Sequence, residues 1–316
     1  MRLCRYGADT ALHVAFYRER GVVLLNDAAL AFSRATGRHV ELPQSTDLLD
    51  FLPPAGPGFV PASALGKWLE ANIDSLPSLR SPESSLLVPI PRPNKIFLLA
   101  GNYAEHIREG GGVAAERAET FPYVFMKPPS TTLTNPGQPI RIPKAAPDAV
   151  DWELELAVVI GRKGKYIPAS EALDYVAGYT IINDISQRKF RPNANRKKRE
   201  KDAFFDWLHG KWFDTFCPCG PCITSADAIP DPQKLRLTLQ LNGEVRQDAS
   251  TSQQIFSVAD VIAFISTMVT LEPGDLISTG TPAGVGNTTG TYLKPGDVMH
   301  GTIEGIGTLI TPVEAE

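Results

Sequence analysis

Polar and apolar residues alternate along "DAVDWELELAVVIG", residues 148–161, where Asp151, Glu153 and Glu155 hold every second position and Trp152, Leu154 and Leu156 lie between or after them. Side chains of a strand point alternately to its two faces, so the three carboxylates project one way and the apolar groups the other. The runs "YVFMKP", "YTIIND", "RLTLQLNGEV", "DLISTG" and "GDVMHGTIEGIGTLITPV" are short, apolar or β-branched, and bounded by Gly, Pro or Asn, which predicts further strands. "NKIFLLAGNY" reads as a buried strand entering a turn, and Asn242-Gly243 as a two-residue hairpin turn. Helical spacing is confined to a few places. A helix is predicted near residues 61–75, a second in "SEALDYVAGY", and a third in "SVADVIAFIST" with Ser257 as N-cap and Asp260 three positions on. The expected fold is α+β and strand-rich, in keeping with 27 prolines and 26 glycines.

Apart from the helix near residues 61–75, the stretch from His39 to Lys95 is punctuated by proline and reads as a connector, and a new unit starts close to Pro93. The expectation is a small N-terminal domain with its connector over residues 1–85 and a catalytic domain over 86–316. With 316 residues, 43% of them hydrophobic and 21% charged, the composition is that of a soluble globular protein with ample core. A net charge of -4 argues against a nucleic-acid partner. No apolar run reaches the roughly 18–20 residues of a membrane span, and "MRLCRYGADT" lacks the apolar core of a signal peptide, so a cytoplasmic location is expected. Four cysteines make no disulfide framework. Cys217, Cys219 and Cys222 in "FCPCGPC" match no standard zinc spacing, and the prolines there predict a turn.

The aligned carboxylates need an explanation. A solvated strand face is the ordinary one, but like charges on one face repel, and the apolar "AVVIG" that follows carries this strand into the core. Clustered, partly buried carboxylates are stable when a cation neutralises them, and hard divalent ions favour oxygen ligands. Asp184, ending the apolar run "GYTIIND", is either a helix N-cap or a further ligand. His106 lies in "GNYAEHIREGGG" with Glu109 three residues on, the same side of a short helix, where a carboxylate can hold the imidazole. Gly110, Gly111 and Gly112 then suit a hinge under a closing lid.

Six motifs, "NYAEH", "FMKPPST", "DWELELAVVIG", "GYTIINDIS", "GKWFDTFCPCGP" and "ISTGTPAGVG", follow one another in an order and spacing that resembles the fumarylacetoacetate hydrolase superfamily across about residues 93–312. The resemblance implies a rolled mixed β-sheet in the catalytic domain, a small N-terminal α/β domain, and a homodimer. It implies a divalent metal, Mg²⁺ or Mn²⁺, with Ca²⁺ as a crystallographic substitute, held by Glu153, Glu155 and Asp184. It implies catalytic roles for His106 and Glu109, which activate water, and for Lys211, which faces the substrate, with Thr281 holding the substrate carboxylate. Asp151 is no ligand in that pattern and positions a neighbour. The chemistry so implied is hydrolysis of a C–C bond in an acylpyruvate-like 2,4-dioxo acid, through a pyruvate enolate, in carbon or aromatic catabolism. The alternatives are an isomerase, tautomerase or decarboxylase of a 2-oxo or 2-hydroxymuconate-type diacid, or a non-catalytic binding protein on the same fold. The chain departs from the family in the basic stretch at residues 188–201. A solvated loop explains it, or else Arg188 or Arg191 reaches the cavity and binds a second substrate carboxylate.

Overall fold

The computed structural model describes residues 1–8, 11–75, 85–115, 117–193 and 195–316. Strands β1 (Arg2–Ala8), β2 (Ala11–Arg18) and β3 (Gly21–Leu24) precede helices α1 (Leu25–Thr36) and α2 (Phe59–Ala71). β4 (Leu86–Leu87) and β5 (Ile96–Ala100) lead into the short α3 (Ala104–Glu109). Then come β6 (Tyr123–Met126), β7 (Leu133–Thr134), β8 (Ile140–Ile142), β9 (Val150–Asp151), β10 (Leu154–Ile160), β11 (Val176–Asn183) and β12 (Ser186–Gln187). α4 (Asp202–His209), β13 (Cys217–Ser225), β14 (Arg236–Leu241), β15 (Glu244–Ser250) and α5 (Val258–Met268) follow. β16 (Leu276–Ser278), α6 (Gly286–Thr289), β17 (Val298–Ile303) and β18 (Gly307–Ala315) complete the chain. The fold is strand-rich α+β, as expected.

An 11-stranded mixed sheet runs β3-β2-β1-β13-β11-β10-β16-β5-β6, with β4 on β1 and β7 on β13. A 5-stranded sheet, β15-β14-β17-β18-β8, packs across one face. The N-terminal strands join the large sheet through β1, whose Arg2 and Leu3 pair with Thr224 and Ile223 of β13. Residues 76–84 of the proline-rich connector lie outside the described residues.

β10 sits near the middle and is buried along its whole length. Leu154, Leu156, Val158 and Ile160 pack with Leu237, Leu239, Met299 and the α5 residues Val261 and Ile262. Ala157 and Val159 face the other core, among Leu98, Ile182, Leu65 and Leu69. Each large aliphatic side chain buried this way contributes about 1.5–3 kcal/mol. That apolar length fixes the strand, and with it the acids at its start.

Ser257 and Asp260 form the expected capping box of α5, and Asn242-Gly243 makes the β14–β15 turn with φ of 52° and 85°. Two expectations change. "SEALDYVAGY" is no α-helix: a 3₁₀ stretch, Ala169–Tyr175, gives way to β11 at Val176, because the run that follows is buried on both faces of the sheet. "CPCGPC" is a buried strand, β13, rather than a turn. Its pairing with β11 is irregular near Tyr179 to Ile181, where Gly220 and Pro221 fall, so Pro221 interrupts a ladder that is already shifted. All four cysteines are buried free thiols.

Candidate active site and metal centre

Antiparallel pairing of β10 with β11 sets Leu154 opposite Asn183, which brings the acids before and after these residues together. The backbone N–H of Asp184 donates to the Glu153 carbonyl at 2.8 Å, and the Glu153 N–H donates to Asn183 Oδ1 at 2.9 Å. Glu153, Glu155 and Asp184 thereby each place a carboxylate oxygen within 4.8 Å of the other two, all buried. Asp184 caps no helix, since the short strand β12 follows it.

Cationic side chains surround the cluster. Lys211 Nζ, buried against the rings of Phe125 and Trp207, donates to Glu153 Oε2 at 2.5 Å and Asp184 Oδ2 at 2.6 Å. Arg188 donates from Nη2 to Glu153 Oε1 at 2.5 Å and from Nε to Asp151 Oδ2 at 2.8 Å. Lys127 Nζ lies 2.7 Å from Asp184 Oδ1, without hydrogen-bond alignment to it, and donates to the carbonyls of Ile185 and Phe216. Burial pushes the Glu153 carboxyl up, but the positive charges of Arg188 and Lys211, joined by His106 when that ring is protonated, outweigh it and hold the group far below the usual range. Burial also works against the Lys211 ammonium, yet Asp184 and Glu153 leave its pKa raised.

Glu155 differs. Its Oε2 accepts from Ser278 Oγ at 2.6 Å and the Gly280 N–H at 2.9 Å, while Oε1 is buried with no hydrogen-bond partner. Burial, then the charges of Asp184 and Glu153, push its carboxyl well above the ordinary value. An orphaned carboxylate oxygen beside two more carboxylates is the donor set a hard divalent cation takes, so Glu153, Glu155 and Asp184 fit such an ion. Neither Mg²⁺ nor Mn²⁺ is distinguished by that set.

His106 and Glu109 come together as expected. His106 Nδ1 and Glu109 Oε1 are 2.8 Å apart across one turn of α3, and Glu109 Oε2 accepts from the Gly284 N–H at 2.9 Å. Gly284 has φ of 103°, and a Cβ there would meet the Arg246 carbonyl, so the loop that receives Glu109 requires glycine. Asp151, fully buried, accepts from the N–H groups of Trp152, Gly286 and Asn287 as well as from Arg188. It ties that loop to the arginine. Thr281 is buried beside β10, where its hydroxyl donates to the Leu154 carbonyl and accepts from Gln247 Nε2. Its hydroxyl therefore braces the strand.

Arg191 is a correction. Its exposed guanidinium pairs with Asp206 at 3.3 Å, drawn outward by the acids of α4, whereas Arg188 three residues earlier points into the cluster. Three residues come to the site without having been anticipated: Lys127, Tyr103 and Gln254. Gln254 Nε2 donates to Thr279 Oγ1 at 2.8 Å and to the buried Tyr103 hydroxyl at 3.3 Å. Lys127 and Tyr103 fall inside the "FMKPPST" and "NYAEH" motifs, which was the available signal; Gln254 carried none.

Residues 95–314 match the family model described as the fumarylacetoacetate (FAA) hydrolase C-terminal domain. A mitochondrial oxaloacetate tautomerase of Bos taurus is 40% identical over 240 residues, which are 75% of this chain and 72% of that protein. The solved fumarylacetoacetate hydrolase of Exiguobacterium antarcticum superposes with a TM-score of 0.75 at 29% identity, covering 100% of both chains. The 5-carboxymethyl-2-hydroxymuconate delta-isomerase of Mycobacterium smegmatis gives a TM-score of 0.68 at 31% identity, covering 100% of this chain and 99% of that one. Among the described residues no helix is long and apolar enough to cross a membrane.

Proposed function

We propose, given that this chain belongs to the fumarylacetoacetate hydrolase family, that it is a metal-dependent tautomerase or isomerase of a small 2-oxo dicarboxylic acid rather than a C–C hydrolase. The observation that carries this reading is the 40% identity with an oxaloacetate tautomerase, supported by the likeness to a hydroxymuconate isomerase over the whole chain. The charges agree with it. The four carboxylates of Asp151, Glu153, Glu155 and Asp184 stand among the three cations Lys127, Lys211 and Arg188. A divalent ion added to that near balance leaves a positive surplus suited to an anionic substrate.

Glu153, Glu155 and Asp184 would hold the divalent cation, which when bound would supply Lewis acidity for a keto oxygen. The protein's own groups move the proton. With Glu109 ionised, His106 carries its hydrogen on Nδ1 and keeps the Nε2 lone pair for a substrate proton. Glu109 is itself fixed by Gly284, so the imidazole is held at one orientation. The proton leaves one carbon and returns to oxygen or to another carbon, and no water is consumed. Arg188 and Lys211 stand beside the cluster as the cationic partners of substrate carboxylates.

Hydrolysis of an acylpyruvate is the second reading, favoured by the full-length likeness to a fumarylacetoacetate hydrolase. One experiment separates them. Purified protein with Mg²⁺ is given oxaloacetate, enol absorbance is followed and pyruvate is assayed, and a short acylpyruvate is run in parallel. Accelerated enol–keto exchange without pyruvate, lost in Glu153→Ala, is the expected result. Faster pyruvate release from the acylpyruvate would replace tautomerisation by C–C hydrolysis. Inactivity on both substrates would sink the proposal.

A further inference from the structure

We infer that Gln247 is a positioning residue of the site, holding the cation ligands of β10 and the loop that seats the His106–Glu109 pair in one fixed relation. β15 is an edge strand paired on one side only, by β14, and Gln247 is the one residue of it that is buried, at 1% exposure. A buried amide at such a place needs a reason, since an apolar side chain would fill the volume without a desolvation cost. The backbone is bent to put it there. Leu239 of β14 stands opposite Gln247 and Gln240 opposite Val245, so Arg246 is the extra residue of a bulge, a device that re-aims a side chain beside an active site.

Its target is the backbone of Leu154, between Glu153 and Glu155. On that edge β10 pairs with β16 from Ala157 to Val159, and the last backbone bond runs from the Thr279 N–H to the Leu156 carbonyl. At Leu154, nearer the start of the strand, β16 no longer reaches the N–H and carbonyl, which are buried and need partners. Gln247 and Thr281 supply both. Gln247 Oε1 accepts from the Leu154 N–H at 3.1 Å, the Thr281 hydroxyl donates to the Leu154 carbonyl at 2.9 Å, and Gln247 Nε2 donates to the Thr281 hydroxyl at 2.8 Å. These bonds close a ring in which each group has one role, so the amide is held in a single orientation.

The other Nε2 hydrogen reaches the Pro282 carbonyl at 2.9 Å. Pro282 leads to Gly284, whose N–H holds Glu109 and which packs against the Arg246 carbonyl of the bulge. One amide thereby fastens the strand that carries two of the three cation ligands to the loop that fixes the imidazole. The Gly280 N–H, just before Thr281, donates to Glu155 Oε2, so a shift of this loop moves a ligand directly. Misplacing reacting groups by about 1 Å costs on the order of 100-fold in rate, and groups one step removed from a metal set its affinity by about 10–100-fold. The inference rests on the cation site and the His106 base of the reading above, and not on which 2-oxo acid is turned over.

Gln247→Met keeps the volume and removes the bonds to Leu154, Thr281 and Pro282. Isothermal titration calorimetry is expected to show Mg²⁺ affinity weakened by about 10–100-fold, and at saturating Mg²⁺ the kcat on oxaloacetate should fall at least about tenfold while KM stays within about twofold. Thr281→Val opens the other side of the ring and carries the same expectation, also where Gln247→Met fails to fold. The double variant should be little worse than either single one, because the ring acts as a unit. Ser266→Ala on α5 is the control: it removes a buried hydroxyl that accepts from the Ile167 N–H at 2.9 Å, and should lower the melting temperature without changing Mg²⁺ affinity or kcat. The calorimetry needs no turnover, so it decides the matter even where oxaloacetate is not a substrate. Unchanged Mg²⁺ affinity in Gln247→Met and Thr281→Val overturns the inference. So does an equal loss in Ser266→Ala, additive effects of the two ring substitutions, or a wild type that takes up neither Mg²⁺ nor Mn²⁺.

Discussion

Lys127→Met removes a cation that no solvent reaches. Its ammonium lies 2.7 Å from Asp184 Oδ1 and donates to the carbonyls of Ile185 at 2.8 Å and Phe216 at 2.5 Å. Deleting one partner of a buried pair costs about 3–5 kcal/mol, because the remaining charge stays buried. The lower end applies here, since Lys211 still donates to Asp184 Oδ2 at 2.6 Å. Methionine fills the same volume, so packing adds little. At about 2 °C per kcal/mol for a chain of this length, the melting temperature of the metal-free protein should drop by roughly 6 °C. Differential scanning calorimetry with and without Mg²⁺ reads the effect twice. A cation among Glu153, Glu155 and Asp184 takes over the neutralisation of Asp184, so saturating Mg²⁺ should narrow the gap between variant and wild type. A variant melting within about 1 °C of wild type would refute the buried-pair argument. A gap that Mg²⁺ leaves unchanged would refute the assignment of Asp184 as a ligand.

Glu155→Gln keeps an acceptor for Ser278 and Gly280 but replaces the unpartnered oxygen by an amide that cannot ionise for a cation; isothermal titration calorimetry should show Mg²⁺ binding weakened by on the order of 100-fold or more, with the fold intact. Arg188→Met should raise KM for an anionic substrate by at least about tenfold, whereas the exposed, surface-paired Arg191 can be changed to Ala with KM and melting nearly unaltered; equal effects of the two would undo the distinction drawn between them. Asp202 is held at about 2, first by the Arg199 N–H and then by the guanidinium groups of Arg196 and Arg199, against about 3.9 in the unfolded chain. A lowered carboxyl stabilises the fold above the unfolded value, and the contribution is lost as pH falls through the folded one. Asp202→Asn should therefore melt earlier than wild type at neutral pH, with the difference fading between about pH 4 and pH 2; a pH-independent difference would count against the ion pairs as its cause.

What could be read in the sequence and what could not follow from the reach of each interaction. The carboxylates of β10 announced themselves because Glu153 and Glu155 share a face within three residues, and their repulsion is visible without knowing the fold. Asp184 was ambiguous alone and became a ligand candidate only beside that pair. The groups that neutralise the cluster left a fainter trace. Lys127 at the end of a strand before Pro128 and Pro129 reads like a solvated lysine, and its contacts to Ile185 and Phe216 span 58 and 89 residues. Arg188 and Arg191 are alike in a basic loop, and only the acids they meet, Asp151 with Glu153 or Asp206, send one inward and the other out. The same asymmetry misled the reading of "SEALDYVAGY" and "CPCGPC", where local period and local prolines point one way and burial on both sides of a central sheet decides the other. A tight group of like charges carries its own evidence, since it needs a counter-charge wherever it folds. The counter-charge has no such mark, because a lone lysine or arginine is at ease in water and acquires its role only from what the fold brings to it.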